Sequence, residues 1–144
     1  MCGRFTRNYT WAQIHAFYCL TAPAAIPNLR PRFNACPTDP ADTIVEHDGK
    51  RELAEMRWGL VPYWWNKTLT ELRLASFNAR VETVSTKPFF REPFESTRCL
   101  MPVSGYYEWH DTLDGKQPYY FTARRTSGPD DRGAMGRVEE SRDR

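Results

Sequence analysis

The chain has 144 residues, 40% hydrophobic and 26% charged, with a formal net charge of +2. That length and balance fit one domain with its own core, and no apolar run approaches the roughly 20 residues that cross a bilayer. The small net charge names no partner, and the opening Met1-Cys2-Gly3-Arg4-Phe5 lacks the apolar stretch of a secretory leader, so a cytoplasmic location is expected.

In chain order, Thr10 is placed to cap a helix over residues 11–20, with Trp11, Ile14, Phe17 and Tyr18 on one face. Residues 21–41 carry Pro23, Pro27, Pro31, Pro37 and Pro40 and read as a loop or extended stretch. Strands are predicted over residues 43–46 and 51–57, joined through Asp48-Gly49. Residues 58–65 form an aromatic, proline-containing loop, and a second helix is predicted over residues 87–94. Three more strands follow over residues 98–103, 106–110 and 119–123, the last two turning around Asp114-Gly115. Beyond that the chain becomes polar and charged. The expected organisation is a folded part over residues 1–124 and a divergent, disordered tail over residues 125–144.

Four cysteines stand at Cys2, Cys19, Cys36 and Cys99, with no C-x-x-C pair, and His15, His47 and His110 complete no zinc pattern. No metal, no cofactor and no disulfide are therefore expected. Cys19, in the first helix, and Cys99, in a strand, read as small buried hydrophobes. Cys2 differs by position, because loss of Met1 makes it the first residue and puts an α-amine and a thiol on adjacent carbons. Their ordinary pKa values are roughly 8 and 8.5, so neutral amine and some thiolate coexist near neutrality. Such a pair condenses with an aldehyde, first as an imine and then as a five-membered thiazolidine, with the second nucleophile already in place. The opened sugar of an abasic site presents an aldehyde of this kind.

Seven blocks surround that chemistry: Met1-Cys2-Gly3-Arg4-Phe5, Arg32-Phe33-Asn34-Ala35-Cys36-Pro37, Met56-Arg57-Trp58-Gly59-Leu60-Val61-Pro62, Phe77-Asn78-Ala79-Arg80-Val81-Glu82-Thr83, Arg98-Cys99-Leu100-Met101-Pro102, Gly105-Tyr106-Tyr107-Glu108-Trp109 and Gly115-Lys116-Gln117-Pro118-Tyr119-Tyr120. In order and spacing they resemble the SRAP (SOS response-associated peptidase) family. The resemblance implies an α+β fold, a mostly antiparallel, barrel-like sheet with peripheral helices. It implies that Cys2 is the crosslinking nucleophile, that Asn78 positions the N-terminus and the opened sugar, and that Glu108 moves protons. Flanked by Tyr107 and Trp109, the Glu108 carboxylate is expected to be enclosed between rings. By the same resemblance Arg4 and Arg80 hold backbone phosphates, while Trp64 and Trp65 press on bases or a strand junction. Asn34 is a structural or site-lining polar group. The implied partner is single-stranded DNA carrying abasic sites, met by a monomer in the cytoplasm, at the nucleoid during DNA damage.

The family continues with an A-G-L-W-x-x-W strand and a late His-x-Arg-Met-Pro segment whose histidine is an acid–base group, and this sequence shows neither. Residues 132–140 can be encoded so that reading one base later gives Ala-Gly-Leu-Trp-Asp-Glu-Trp-Lys, the Trp being forced by the ATGG within Met135-Gly136. A frameshift near residues 124–129, leaving the sheet incomplete at its C-terminal side with unpaired edges, is the expectation. Two other functions compete with covalent capture. One is a cysteine-type peptidase, at minimum removing its own Met1, although no Cys–His pair supports general proteolysis. The other is a non-covalent single-stranded DNA module, or a fragment without function.

Overall fold

The computed structural model describes residues 2–72 and 76–123. Met1 and the tail expected over residues 125–144 lie outside the described residues. The fold is α+β and mainly antiparallel, with two sheets. Strands β1 (Arg4–Arg7), β2 (Arg32–Ala35), β5 (Gly105–Thr112) and β6 (Gly115–Phe121) form one in the order β2-β1-β5-β6, and β3 (Pro40–His47) pairs with β4 (Lys50–Arg57) in the other. Among the described residues the sheets stay open and do not close into a barrel.

Helix α1 (Trp11–Tyr18) begins where the sequence places it. Thr10 accepts a hydrogen bond from the Gln13 N–H, and the Gln13 side chain accepts one from the Thr10 N–H, a reciprocal cap. The helix ends two residues earlier than expected, because Cys19 turns left-handed at φ 53° and its N–H returns to the His15 carbonyl. That turn puts Cys19 at the surface, and Cys99 is exposed as well, so neither is the buried hydrophobe expected of it. Of the four residues assigned to one face, Ile14 is buried and Trp11 and Tyr18 pack partly against it, but Phe17 is 46% exposed.

Two clusters make the core. Tyr9, Ile14, Leu20 and Ile44 join α1 to the β3–β4 hairpin; Phe5, Ala35, Ala41 and Trp58 lie between the two sheets. The hairpin turns at Asp48-Gly49 with both φ values positive, 50° and 72°, as a two-residue turn matched to strand twist requires. The second hairpin differs from expectation by one residue: Thr112 pairs with Gly115, so the turn is Leu113-Asp114 and Gly115, at φ 119°, opens β6. Helix α2 (Pro88–Ser96) starts on Pro88 at its first position, where a missing N–H costs nothing. The strand expected over residues 98–103 is reduced to an isolated bridge between Leu100 and Ile44, while β1 and β2, four residues each and starting on arginines, were not anticipated as strands.

Strand β6 pairs with β5 alone among the described residues, and Tyr119, Tyr120 and Phe121 are 51%, 49% and 43% exposed. It packs tightly at Gly105, whose missing Cβ position is already occupied by the Tyr120 phenol and lies 2.7 Å from the Phe121 carbonyl oxygen. Tyr120 in turn shares a 2.8 Å hydrogen bond with the buried Thr6 hydroxyl. Gly105→Ala should therefore cost about 1–3 kcal/mol, the range for overpacking, read as a lowered urea midpoint. A midpoint equal to that of the parent would show that β6 is not held there.

Candidate functional site

Cys2 precedes β1 and packs half-buried against the inter-sheet core with Phe77, Met101, Val103 and Tyr106. Its carbonyl accepts a 2.8 Å hydrogen bond from Nδ2 of Asn78, so residues 76 apart in sequence meet here. Asn78 is held by what precedes it. The Phe77 ring lies edge-on to Trp58 at 5.9 Å, and Trp58 meets Phe5 of β1 at 5.0 Å. The Ser76 carbonyl accepts the Leu60 N–H at 3.0 Å, tying this segment to the one after β4. Aromatic packing thus fixes the loop that delivers the amide to Cys2.

Glu108 reaches the same place from β5. Extending the pairing of Arg4 with Tyr107 by one residue sets Glu108 opposite Gly3, next to Cys2. Burial pushes the Cys2 thiol above its ordinary pKa, and the negative charge of Glu108 pushes it further. A hydrogen bond from the Arg4 backbone to the sulfur acts the other way. The expected enclosure of Glu108 by Tyr107 and Trp109 does not occur, because successive strand residues face opposite sides. Tyr107 and Trp109 share one face, their rings 6.4 Å apart, and Tyr107 also meets Tyr120 at 4.9 Å. Glu108 shares the other face with Tyr106 and is paired across the hairpin with Tyr119.

The residues expected to hold DNA are less tightly gathered. Arg4 is half-buried on β1 and donates a 2.7 Å hydrogen bond from a terminal guanidinium nitrogen to Oδ1 of Asn34. Arg80 is exposed two residues beyond Asn78. Trp64 is 51% exposed and Trp65 half-buried, their rings 6.3 Å apart. Trp64 rests on Phe89 of α2 at 6.4 Å, and the Trp65 indole N–H donates to the Thr68 carbonyl at 3.2 Å. The tryptophan pair is thus anchored to α2 through Phe89. The sequence leaves Asn34 as either a structural or a site-lining group; its position beside Arg4 was hidden because it depends on β2 pairing with β1.

Among the described residues no helix is long and apolar enough to cross a membrane. The sequence model of the family described as SOS response associated peptidase (SRAP) matches residues 1–134. The chain is 34% identical to the abasic site processing protein YoqW of Bacillus subtilis (strain 168) over 109 residues, covering 76% of this chain and 48% of that protein. It is 31% identical to the abasic site processing protein YedK of Escherichia coli (strain K12) over 123 residues, 83% of this chain and 53% of that protein. A crystal structure of a protein from Bacteroides thetaiotaomicron superposes with a TM-score of 0.69 at 27% identity, over 83% of this chain and 53% of that one. The chain spans about half the length of these relatives.

Proposed function

This chain belongs to the SOS response associated peptidase (SRAP) family, and from that membership we propose that it processes abasic sites in DNA, capturing them covalently through Cys2. The observation that carries the reading is the Asn78–Cys2 hydrogen bond with the Glu108 charge close enough to act on the same thiol. Once Met1 is removed, the Cys2 amine adds to the aldehyde carbon of the opened sugar and gives a carbinolamine. The Glu108 carboxylate takes the carbinolamine N–H proton and passes it to the departing hydroxyl, which leaves as water and leaves the imine. The thiol sulfur then bonds to the imine carbon, and its proton ends on the nitrogen to close the thiazolidine. One water is lost overall. Asn78 holds the Cys2 carbonyl so that amine and thiol share one approach to the sugar.

Arg4 and Arg80 take backbone phosphates, contacts that position single-stranded DNA without reading its sequence. The exposed face of Trp64 offers a base a surface on which to stack. Mature protein should form a band resistant to denaturation with an abasic oligonucleotide, and none with the same oligonucleotide bearing an intact base. Equal labelling of both would rule out aldehyde chemistry.

The family's description as a peptidase favours one further reading, that the chain removes its own Met1. The N-terminal mass of Glu108→Gln protein, made where host aminopeptidase is inhibited, decides it: retained Met1 supports self-cleavage, and lost Met1 removes the need for it.

A further inference from the structure

The pairing of β1 with β2 slips by one residue beside the site. Phe5 pairs with Ala35 and Arg7 with Arg32, so Thr6 alone faces both Phe33 and Asn34. This is a β-bulge, a device that re-aims side chains and recurs next to active sites. Here it leaves Phe33 58% exposed and brings the Asn34 amide to Arg4, whose guanidinium it accepts at 2.7 Å. No described carboxylate forms an ion pair with Arg4. Arg7 and Arg32, its neighbours on the two strands, pair instead with Asp42 and Asp39 at 2.8 and 3.0 Å.

An amide and a carboxylate do different things to an arginine. Both fix the direction of the guanidinium, but a carboxylate cancels its charge, while an amide leaves that charge whole for an anion arriving from outside. Arg4 stands two residues from Cys2, on the strand that follows it.

We propose that Asn34 is a positioning residue, which the β2 bulge delivers to orient Arg4, at full charge, toward a DNA phosphate beside Cys2. The proposal rests on the reading of Arg4 as a phosphate contact. Asn34 touches neither the sugar nor the thiol. It acts on how firmly the strand is held, and not on the chemistry once the strand is bound.

The test is equilibrium binding of the mature full chain to a fluorescein-labelled single-stranded oligonucleotide without lesions, by anisotropy over a range of salt. Asn34→Asp should weaken binding about tenfold and flatten the salt dependence by about 0.7 in log–log slope, the loss of one phosphate contact on a single strand. Arg4→Ala should do the same, and the Arg4→Ala/Asn34→Asp pair should lose no more than either alone. Asn34→Ala should weaken binding severalfold while the slope stays that of the parent, since a loosened Arg4 still carries its charge. The Asn34 side chain is exposed, and melting curves of the variants check that each is folded.

Independent, multiplying losses in the double variant would overturn the proposal. So would Asn34→Asp binding like the parent, or a parent with no measurable binding. Gels of the same proteins with abasic oligonucleotide read covalent capture separately. A parent that binds with this Asn34 dependence but forms no adduct supports the positioning role and refutes the covalent reading.

Discussion

Glu108→Gln is expected to slow adduct formation with an abasic oligonucleotide by roughly 100- to 10,000-fold, the range for losing a positioned acid–base group. The direction is informative because the charge of Glu108 has an opposite effect on the thiol. Burial is the main cause that holds the Cys2 thiol above its ordinary pKa, and the Glu108 charge adds to it, so removing that charge lets the sulfur ionise somewhat more readily. If thiolate supply limited the reaction, the variant would react faster near neutrality. If proton delivery to the carbinolamine hydroxyl limits it, the variant slows despite the easier thiolate. Single-turnover rates from pH 6 to 9, with melting curves as the folding control, separate the two. An unchanged or faster rate would remove Glu108 from the proton transfer.

Asp42→Ala is expected to cost about 3 kcal/mol, because it strands a largely buried cation. Asp42 is 5% exposed, accepts from Arg7 at 2.8 Å and from the Tyr9 hydroxyl at 3.1 Å, and the Arg7 side chain is 16% exposed. Among the described residues Nε of Arg7 has no partner, and a terminal guanidinium nitrogen also donates to the Arg30 carbonyl at 2.8 Å. Against a total of about 5–15 kcal/mol, such a loss leaves much of the protein unfolded at modest urea. Asp42→Asn, which keeps an acceptor, should cost distinctly less. Equal midpoints for the two variants would show that charge plays no part.

The same cluster sets an alkaline limit. Burial raises the Tyr9 phenol far above its ordinary pKa of 10.0, and the charge of Asp42 and its hydrogen bond raise it further. Folding therefore favours the protonated phenol. Its contribution is intact below pH 10 and declines above it, as the unfolded chain ionises first. Tyr9→Phe should lose stability at neutral pH and show a shallower alkaline decline than the parent.

Elements governed by local rules were legible in the sequence. The Thr10 cap, the Asp48-Gly49 hairpin and the proline-started α2 each follow from residues within a few positions of one another. What failed was non-local. Strands β1 and β2, four residues each, start on arginines and show no clean alternation, and only the pairing of β1 with β2 and with β5 makes them strands. At the site, motif matching named Cys2, Asn78 and Glu108, but linear adjacency misled about Glu108. Tyr107 and Trp109 flank it in sequence and, by strand alternation, face the other way. Asn34 could be read only as structural or site-lining, because its meeting with Arg4 requires a bulge that no local pattern announces.

The reading of Cys2 as the capturing nucleophile is tested most directly by intact-mass spectrometry of the mature chain after incubation with an abasic oligonucleotide. Covalent capture predicts one species at the summed mass of protein and oligonucleotide less one water, carried by the Cys2 peptide and absent from Cys2→Ala. The same adduct on Cys2→Ala, or an adduct mapping to another residue, would contradict it.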